Sequence, residues 1–416
     1  MTAPAAVAGT PSPQNTKRRL TIILGMLTGF APFSIDMYLA AFPAIANTLG
    51  SGVEQVQHSL AAFFVGIAAG QILYGPAIDR FGRRGPMLLG ITIYVLTSIT
   101  LIWAPNIESF IAVRFVQALG ACGGMVVARA MIRDLYDVRE AAIALSMMMA
   151  VVSLGPVVAP LLGSLVLSWS RWQAIFAFLG VYGVICFLLA TRYLPETLPA
   201  EKRSHNNPWQ VLGTFSALLK RPPFMVPALT GGFAFAGVFA YITAAPFLLM
   251  SLYGLDERSF AWVFALIACF LIIATQINQR LLRRLMPHRI LKIGVALNLL
   301  ASIGLMAIHQ TDSLPIMAVV LALWTCTLPL IGSNGTAVAM SQSGRYAGSA
   351  SSIIGVTQFS LAGAVSFLVG FFHDGTAFPM AAVMMACSVI AATVLIIGRT
   401  QTTASIEAQT NGAHHD

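Results

Sequence analysis

Apolar residues run along this chain in twelve long blocks, and polar residues are confined to the stretches between them. The blocks fall at about 20–41, 53–77, 87–104, 107–128, 141–169 and 171–193. A second set follows at about 225–252, 259–278, 290–309, 314–340, 347–372 and 376–398. Each is long enough to cross ~30 Å of hydrocarbon as a helix, and only closed hydrogen bonding within the segment suits that environment. The pattern predicts an all-α polytopic membrane protein. The first block is too long for a signal-peptide core and more blocks follow it, so it reads as a first transmembrane helix. Residues 1–19 read as a disordered N-terminus and 399–416 as a polar tail. The connection 194–224 carries Pro195, Pro199, Pro208, Pro222 and Pro223 with mixed charges. It divides the chain into two six-helix halves, 20–193 and 225–398.

Composition agrees. The chain has 416 residues, 57% hydrophobic and only 9% charged, against about 25% charged in a soluble domain. Its mean hydropathy is +0.80. The formal net charge of +9 would suggest nucleic acid in a soluble protein. Here basic loops facing anionic lipid account for it, and no nucleic-acid partner is expected. With the N-terminus in the cytoplasm, every Lys and Arg lies at or near the cytoplasmic side except Arg114, Arg171 and Arg258. Glu54, Glu108, Asp256, Glu257, Asp312 and Asp374 fall on the opposite side. An even number of spans returns the C-terminus to the cytoplasm. Cys122, Cys186, Cys269, Cys326 and Cys387 all sit in apolar spans without metal-ligand spacing, so they read as packing residues.

Asp36 is the only carboxylate well inside a span. A charge at that depth costs a few kcal/mol or more, which marks it as functional. Arg114 lies in the fourth span with Gln117 three residues on, on the same helix face. Asp36 is about six residues from the outer end of its span and Arg114 about seven from the outer end of its own. At ~1.5 Å per residue both sit roughly 9–10 Å deep. Matching depth allows the two to pair, directly or through water, either alternately broken in transport or fixed as a structural ion pair. Arg114 snorkelling to the near surface is the other reading.

The loop after the second span reads Gly75-Pro76-Ala77-Ile78-Asp79-Arg80-Phe81-Gly82-Arg83-Arg84. It resembles the G-x-x-x-D-R-x-G-R-R signature of the major facilitator superfamily. Arg114, Gln117 and Gly120 resemble that superfamily's R-x-x-Q-x-x-G element, and Gly155, Pro156, Pro160 and Gly163 its antiporter helix. Ser34-Ile35-Asp36-Met37-Tyr38-Leu39 with Pro43, Arg129-Ala130-Met131-Ile132-Arg133-Asp134, and Ala347-Gly348-Ser349-Ala350-Ser351 with Gly355 and Gln358 resemble the Bcr/CflA drug-efflux family. Ala40 departs from it where Pro is frequent, so a milder bend of the first helix is expected. The resemblance implies twelve helices in two pseudo-symmetric halves around a central cavity. It implies a latch at Gly75, Asp79, Arg80, Gly82, Arg83 and Arg84, with Asp79 accepting from a helix N-terminus or from an Arg across the seam. A solvated basic loop that only sets topology is the plainer alternative. Gly155, Pro156, Pro160 and Gly163 should kink the fifth helix and admit a close neighbour, as ordinary kinked helices also do.

The expected function is proton-coupled efflux of small amphipathic antibiotics, bicyclomycin- or chloramphenicol-like, across the bacterial inner membrane. Asp36 and Arg114 carry proton coupling. Tyr38, Gln117, Phe235, Tyr241, Trp324, Asn334 and Gln358 are candidates for the substrate cavity, although each alone also suits core packing. One buried acid suggests one proton per cycle and a neutral, zwitterionic or monovalent substrate. The partners are protons, drug and the lipid bilayer, and a monomer suffices. No cofactor is expected, the proton gradient being the drive, and no metal. Export of an amino acid, short peptide or sugar is the alternative. No loop supplies a Ser/His/Asp set, metal ligands or a P-loop, which argues against an enzyme and against ATP-driven transport.

Overall fold

A computed structural model describes residues 13–203, 215–343 and 347–412. Pro208 of the expected linker and Arg345 lie outside the described residues. Among the described residues twelve helices are long and apolar enough to span a membrane. They are α1 (Lys17–Leu49), α2 (Val53–Phe81), α3 (Arg84–Leu101), α4 (Ile107–Leu135), α5 (Arg139–Trp169) and α6 (Gln173–Tyr193). The second half holds α7 (Pro222–Leu252), α8 (Glu257–Leu282), α9 (Pro287–Ala307), α10 (Leu314–Ser341), α11 (Gly348–Phe371) and α12 (Phe378–Gly398).

Short polar signals end and restart the helices. The side chains of Asn106, Asp137 and Asp256 accept from the backbone N–H of Ser109, Glu140 and Ser259, capping α4, α5 and α8. Gly50, Gly254 and Gly375 take positive φ values of 62°, 68° and 79° in the connections at the acidic end. Trp103, Trp169 and Trp262 are exposed at that same end, as a belt at the lipid–water boundary requires.

Several boundaries differ from expectation. Helix already begins at Pro13, within the stretch read as disordered, and the last helix continues to Gly412. Pro222 and Pro223 begin α7 rather than ending a linker, because Pro suits the first turn, where its missing N–H has no partner to lose. The first span extends to Leu49 and is broken into four pieces. Segment α1a is Pro13–Thr28, α1b is Phe30–Asp36, a 3-10 turn covers Leu39–Ala41 and α1c is Phe42–Leu49. The helix is interrupted around Ala40, which lies within the 3-10 turn. Pro43 has no N–H to offer the Leu39 carbonyl, so Phe42 N–H donates to it instead and the turn tightens to 3-10 geometry. In the second half, α7 ends in a π-helical turn at Phe247–Leu252 and α10 is interrupted at Thr327, just before Pro329.

The halves meet along two seams, α2 against α11 and α5 against α8. On the first seam α11 presents glycines about two turns apart. A Cβ on Gly355 would lie 3.1 Å from the Gln71 amide, on Gly363 2.8 Å from Val65, and on Gly370 2.9 Å from the His58 ring. Missing side chains at these points let the two backbones approach closely.

Candidate functional site

Asp36 is the last residue of α1b, where the helix gives way to the 3-10 turn. It is 2% exposed, and its Oδ1 has no hydrogen-bond partner. The break is held from two sides. Gly163 of α5 lies so close that a Cβ there would be 1.9 Å from the Met37 carbonyl oxygen, and a Cβ on Gly155 would be 2.5 Å from the Pro32 ring. From α6, the Tyr182 hydroxyl donates to the Met26 carbonyl at 2.6 Å. The glycines of the antiporter-like helix therefore seat α5 on α1, and α5 stays helical through Pro156 and Pro160.

Arg114 does not pair with Asp36. Among the described residues the ion pairs are Lys17–Glu140, Arg83–Asp79 and Arg83–Asp134. Arg114 is wholly buried inside the first half. Its Nη2 donates to the Ser34 carbonyl at 2.9 Å and its Nη1 to Gln117 Oε1. Its guanidinium lies 4.4 Å from the Tyr38 ring centroid and 4.3 Å from that of Phe63. Gln117 Nε2 donates to Ser98 Oγ at 2.8 Å, and Ser34 Oγ meets the Tyr94 hydroxyl at 2.7 Å. The equal depth of Asp36 and Arg114 does not bring them together, because depth says nothing of rotation about the helix axis. Snorkelling is likewise overturned, since Arg114 reaches no surface.

The same network withdraws two candidate cavity residues. Tyr38 is buried with its hydroxyl 3.0 Å from Ser59 Oγ, and Gln117 is turned toward α3. The second half has a matching but uncharged column. Trp324 Nε1 donates to Ser302 Oγ at 2.8 Å, Ser302 meets Ser388 at 2.7 Å, and Ser388 donates to Asn298 Oδ1 at 2.6 Å. Asn298 Nδ2 in turn donates to Thr327 Oγ1 at 2.7 Å. Trp324 is thus core, packed over Gly237. Asn334 Nδ2 donates to Asn278 Oδ1 at 2.8 Å, tying α10 to α8.

Phe235 and Tyr241 lie where the halves meet. Phe64 of α2 packs on Phe239 at 4.3 Å, Phe239 on Phe235 at 4.9 Å, and Phe235 on Phe359 of α11 at 5.4 Å. Gln358, half-buried, precedes Phe359. Tyr241 is 3% exposed and its ring stacks on Phe264 of α8 at 5.5 Å. Its hydroxyl has no hydrogen-bond partner.

At the basic end Asp79, Gly82, Arg83 and Arg84 of the loop motif gather around Asp134 and Glu196 within the first half. Asp79 accepts from Arg83 Nη1 at 2.6 Å and not from across the seam, because Arg83 lies one turn on in the same loop. Arg83 Nε donates to Asp134 at 3.0 Å. Burial works against the charge on Arg83, but Asp79 and Asp134 outweigh it and hold the guanidinium above its ordinary value. Glu196, just past α6, accepts from the backbone N–H of Arg83 at 2.8 Å, Arg84 at 3.1 Å and Leu198 at 3.0 Å. Burial alone would raise the Glu196 carboxyl, but these donors together depress it. Gly82 has φ +88° and a Cβ there would be 2.4 Å from Glu196 Oε2. Arg84 Nη2 donates to the Thr191 carbonyl at 2.7 Å, and Arg80 lies 5.6 Å from the Phe81 ring centroid. Gly75 approaches α11, a Cβ there lying 3.9 Å from Ser352 Oγ. Glu196 carries no motif signal, and Ser34, Tyr94, Ser98 and Asn278 look like ordinary small or polar helix residues in the sequence.

Two six-helix halves closing on a buried carboxylate define a membrane transporter, multi-pass in the bacterial inner membrane. The chain belongs to the Major Facilitator Superfamily, whose profile matches residues 24–367. It is 35% identical over 374 residues to an uncharacterized MFS-type transporter of Bacillus subtilis (strain 168), covering 89% of this chain and 93% of that one. It is 32% identical over 371 residues to a bicyclomycin resistance protein homolog of Haemophilus influenzae, covering 89% and 93%. The fold matches that of a bacterial homolog of the human lysosomal transporter Spinster in an inward-facing, occupied conformation. The TM-score is 0.73 at 17% identity, covering 94% of this chain and 98% of that one.

Proposed function

We propose that this chain is a proton-coupled efflux antiporter for small amphipathic antibiotics, neutral, zwitterionic or monovalent, of the bicyclomycin or chloramphenicol kind. The observation that carries the reading is Asp36, sealed in an apolar interior with an unpartnered oxygen, at the break of a helix beside the seam of the halves. An ionised carboxylate is costly there without a counter-charge. Arg114 forms no ion pair with it, its two Nη groups donating to Gln117 and Ser34. Taking up a proton removes the cost, and giving it up to water opens the site to a substrate that offers a donor or a positive charge. Exchange follows, because proton and substrate compete for one carboxylate.

Everted vesicles carrying wild type or Asp36→Asn test this. Chloramphenicol uptake driven by an imposed proton gradient should fall to the level of empty vesicles in Asp36→Asn, while downhill exchange persists. Proton-driven uptake that survives the substitution removes Asp36 from coupling.

A further inference from the structure

Two buried polar atoms without partners lie on elements that adjoin across the halves. Asp36 Oδ1 comes from the end of α1b and the Tyr241 hydroxyl from α7, and each is sealed from solvent. The 3-10 turn after Asp36 packs directly on α7 and on α8. Tyr241 is fixed in orientation by stacking on Phe264, with an interplanar angle of 13°. A buried phenol without an acceptor is costly, as is a buried carboxyl oxygen without a donor. Unpaired groups of complementary kind on adjoining elements suit the two halves of one hydrogen bond that forms in another state of the cycle.

Most other ionisable groups near Asp36 have partners of their own. On α4, the two Nη groups of Arg114 donate to Ser34 and Gln117 while its Nε has no partner, and on α3 the Tyr94 hydroxyl meets Ser34. On α1 itself Tyr38 meets Ser59. On α6, Tyr182 donates to Met26, and Cys186 is buried on the same helix. The ionisable residues of α5 are Arg139 and Glu140 at its start, and those of α8 are Glu257, Arg258, Cys269 and Arg280. None of these is a hydrogen-bond partner of Asp36.

We propose that Tyr241 is the second half's switch partner for Asp36. When Asp36 is ionised, the Tyr241 hydroxyl donates to its carboxylate and ties α7 to α1. When Asp36 takes a proton from water, the carboxylate ceases to be a charged acceptor, the bond loosens and α7 is released. The phenol keeps its own proton throughout. Tyr241 is thus a positioning residue that reports the protonation of the first half to the second. The inference rests on Asp36 carrying the coupling proton.

The test uses purified full-length protein in lipid, with the infrared carbonyl band of protonated Asp36, assigned by its loss in Asp36→Asn. Its disappearance is followed against pH in wild type, Tyr241→Phe and Tyr241→Gln. Removing the donor should move the midpoint upward by about one pH unit, a tenfold change in proton affinity. Tyr241→Gln, which keeps an amide donor, should return it toward wild type. Proton-driven uptake in Tyr241→Phe should lose its dependence on pH over the same interval while downhill exchange continues. An unmoved midpoint, or one moved downward, overturns the proposal. If Tyr241→Phe does not fold, Tyr241→Gln against Tyr241→Leu reads the same contrast. Coupling that survives Asp36→Asn would instead defeat the underlying reading, whereas coupling lost in Asp36→Asn with an unmoved midpoint in Tyr241→Phe defeats only the switch.

Discussion

Adding one methyl group should have opposite effects at two glycines of this transporter. At Gly163 the new Cβ would lie 1.9 Å from the Met37 carbonyl oxygen, 2.8 Å from its carbon and 3.1 Å from its Cα. The obstacle is backbone, so no side-chain rotation relieves it. Helices α1 and α5 must part by more than an ångström at the break beside Asp36. Overpacking of this kind costs typically about 1–3 kcal/mol, and a backbone obstacle belongs at the upper end. At Gly332, inside the second segment of α10, nothing lies within 4 Å of the new Cβ. There Gly163→Ala's counterpart, Gly332→Ala, gains about 0.5–1 kcal/mol of helix propensity. The two variants, identical in chemistry, should differ by about 4 kcal/mol in total. Thermal unfolding in detergent, read by intrinsic tryptophan fluorescence, should show Gly163→Ala melting below wild type and Gly332→Ala at or above it. Proton-driven uptake should fall only in Gly163→Ala. If Gly163→Ala melts and transports like wild type, the seating of α5 on the broken helix is not as described.

Two further substitutions separate structural roles from cavity roles. Trp324→Phe removes the donor to Ser302 and should cost about 1 kcal/mol of stability, seen as a lower melting midpoint with unchanged substrate affinity; a changed affinity would return Trp324 to the cavity. Glu196 has a carboxyl depressed below its ordinary value by backbone donors. Its contribution is therefore complete above an ordinary glutamate value of about 4.3 and is lost as pH falls through the depressed one. Protection of the Arg83 and Arg84 amides against hydrogen exchange should decline in that acid range, and Glu196→Gln should abolish the dependence.

The twelve spans and their division into halves were legible because lipid imposes one requirement on every segment, and the blocks of apolar residues record it. Helix ends were less so. The first apolar block reads as ending at about residue 41, yet a proline at a first turn is compatible with a helix that restarts and runs to Leu49. The buried polar residues were legible and their pairings were not. Asp36 and Arg114 are conspicuous charges in apolar surroundings, but whether they meet depends on rotation about two axes. Ser34 presents its carbonyl to Arg114, while Asp36, two residues on and so about 200° around the helix, faces elsewhere. Glu196 was illegible for a different reason. It lies 113 residues from Arg83, and an acid in a proline-rich connection looks like solvated charge.

The glycines of α11 have a mechanical consequence. Side chains that interdigitate between helices act as detents, resisting rotation until they are lifted out of register. Along α2 and α11 three of those teeth are missing, because Gly355, Gly363 and Gly370 offer backbone to Gln71, Val65 and His58, while Phe367 still stacks on the His58 ring. Any rotation of one half on the other would meet fewer side-chain obstacles at these three points than at the aromatic stack running from Phe64 to Phe359.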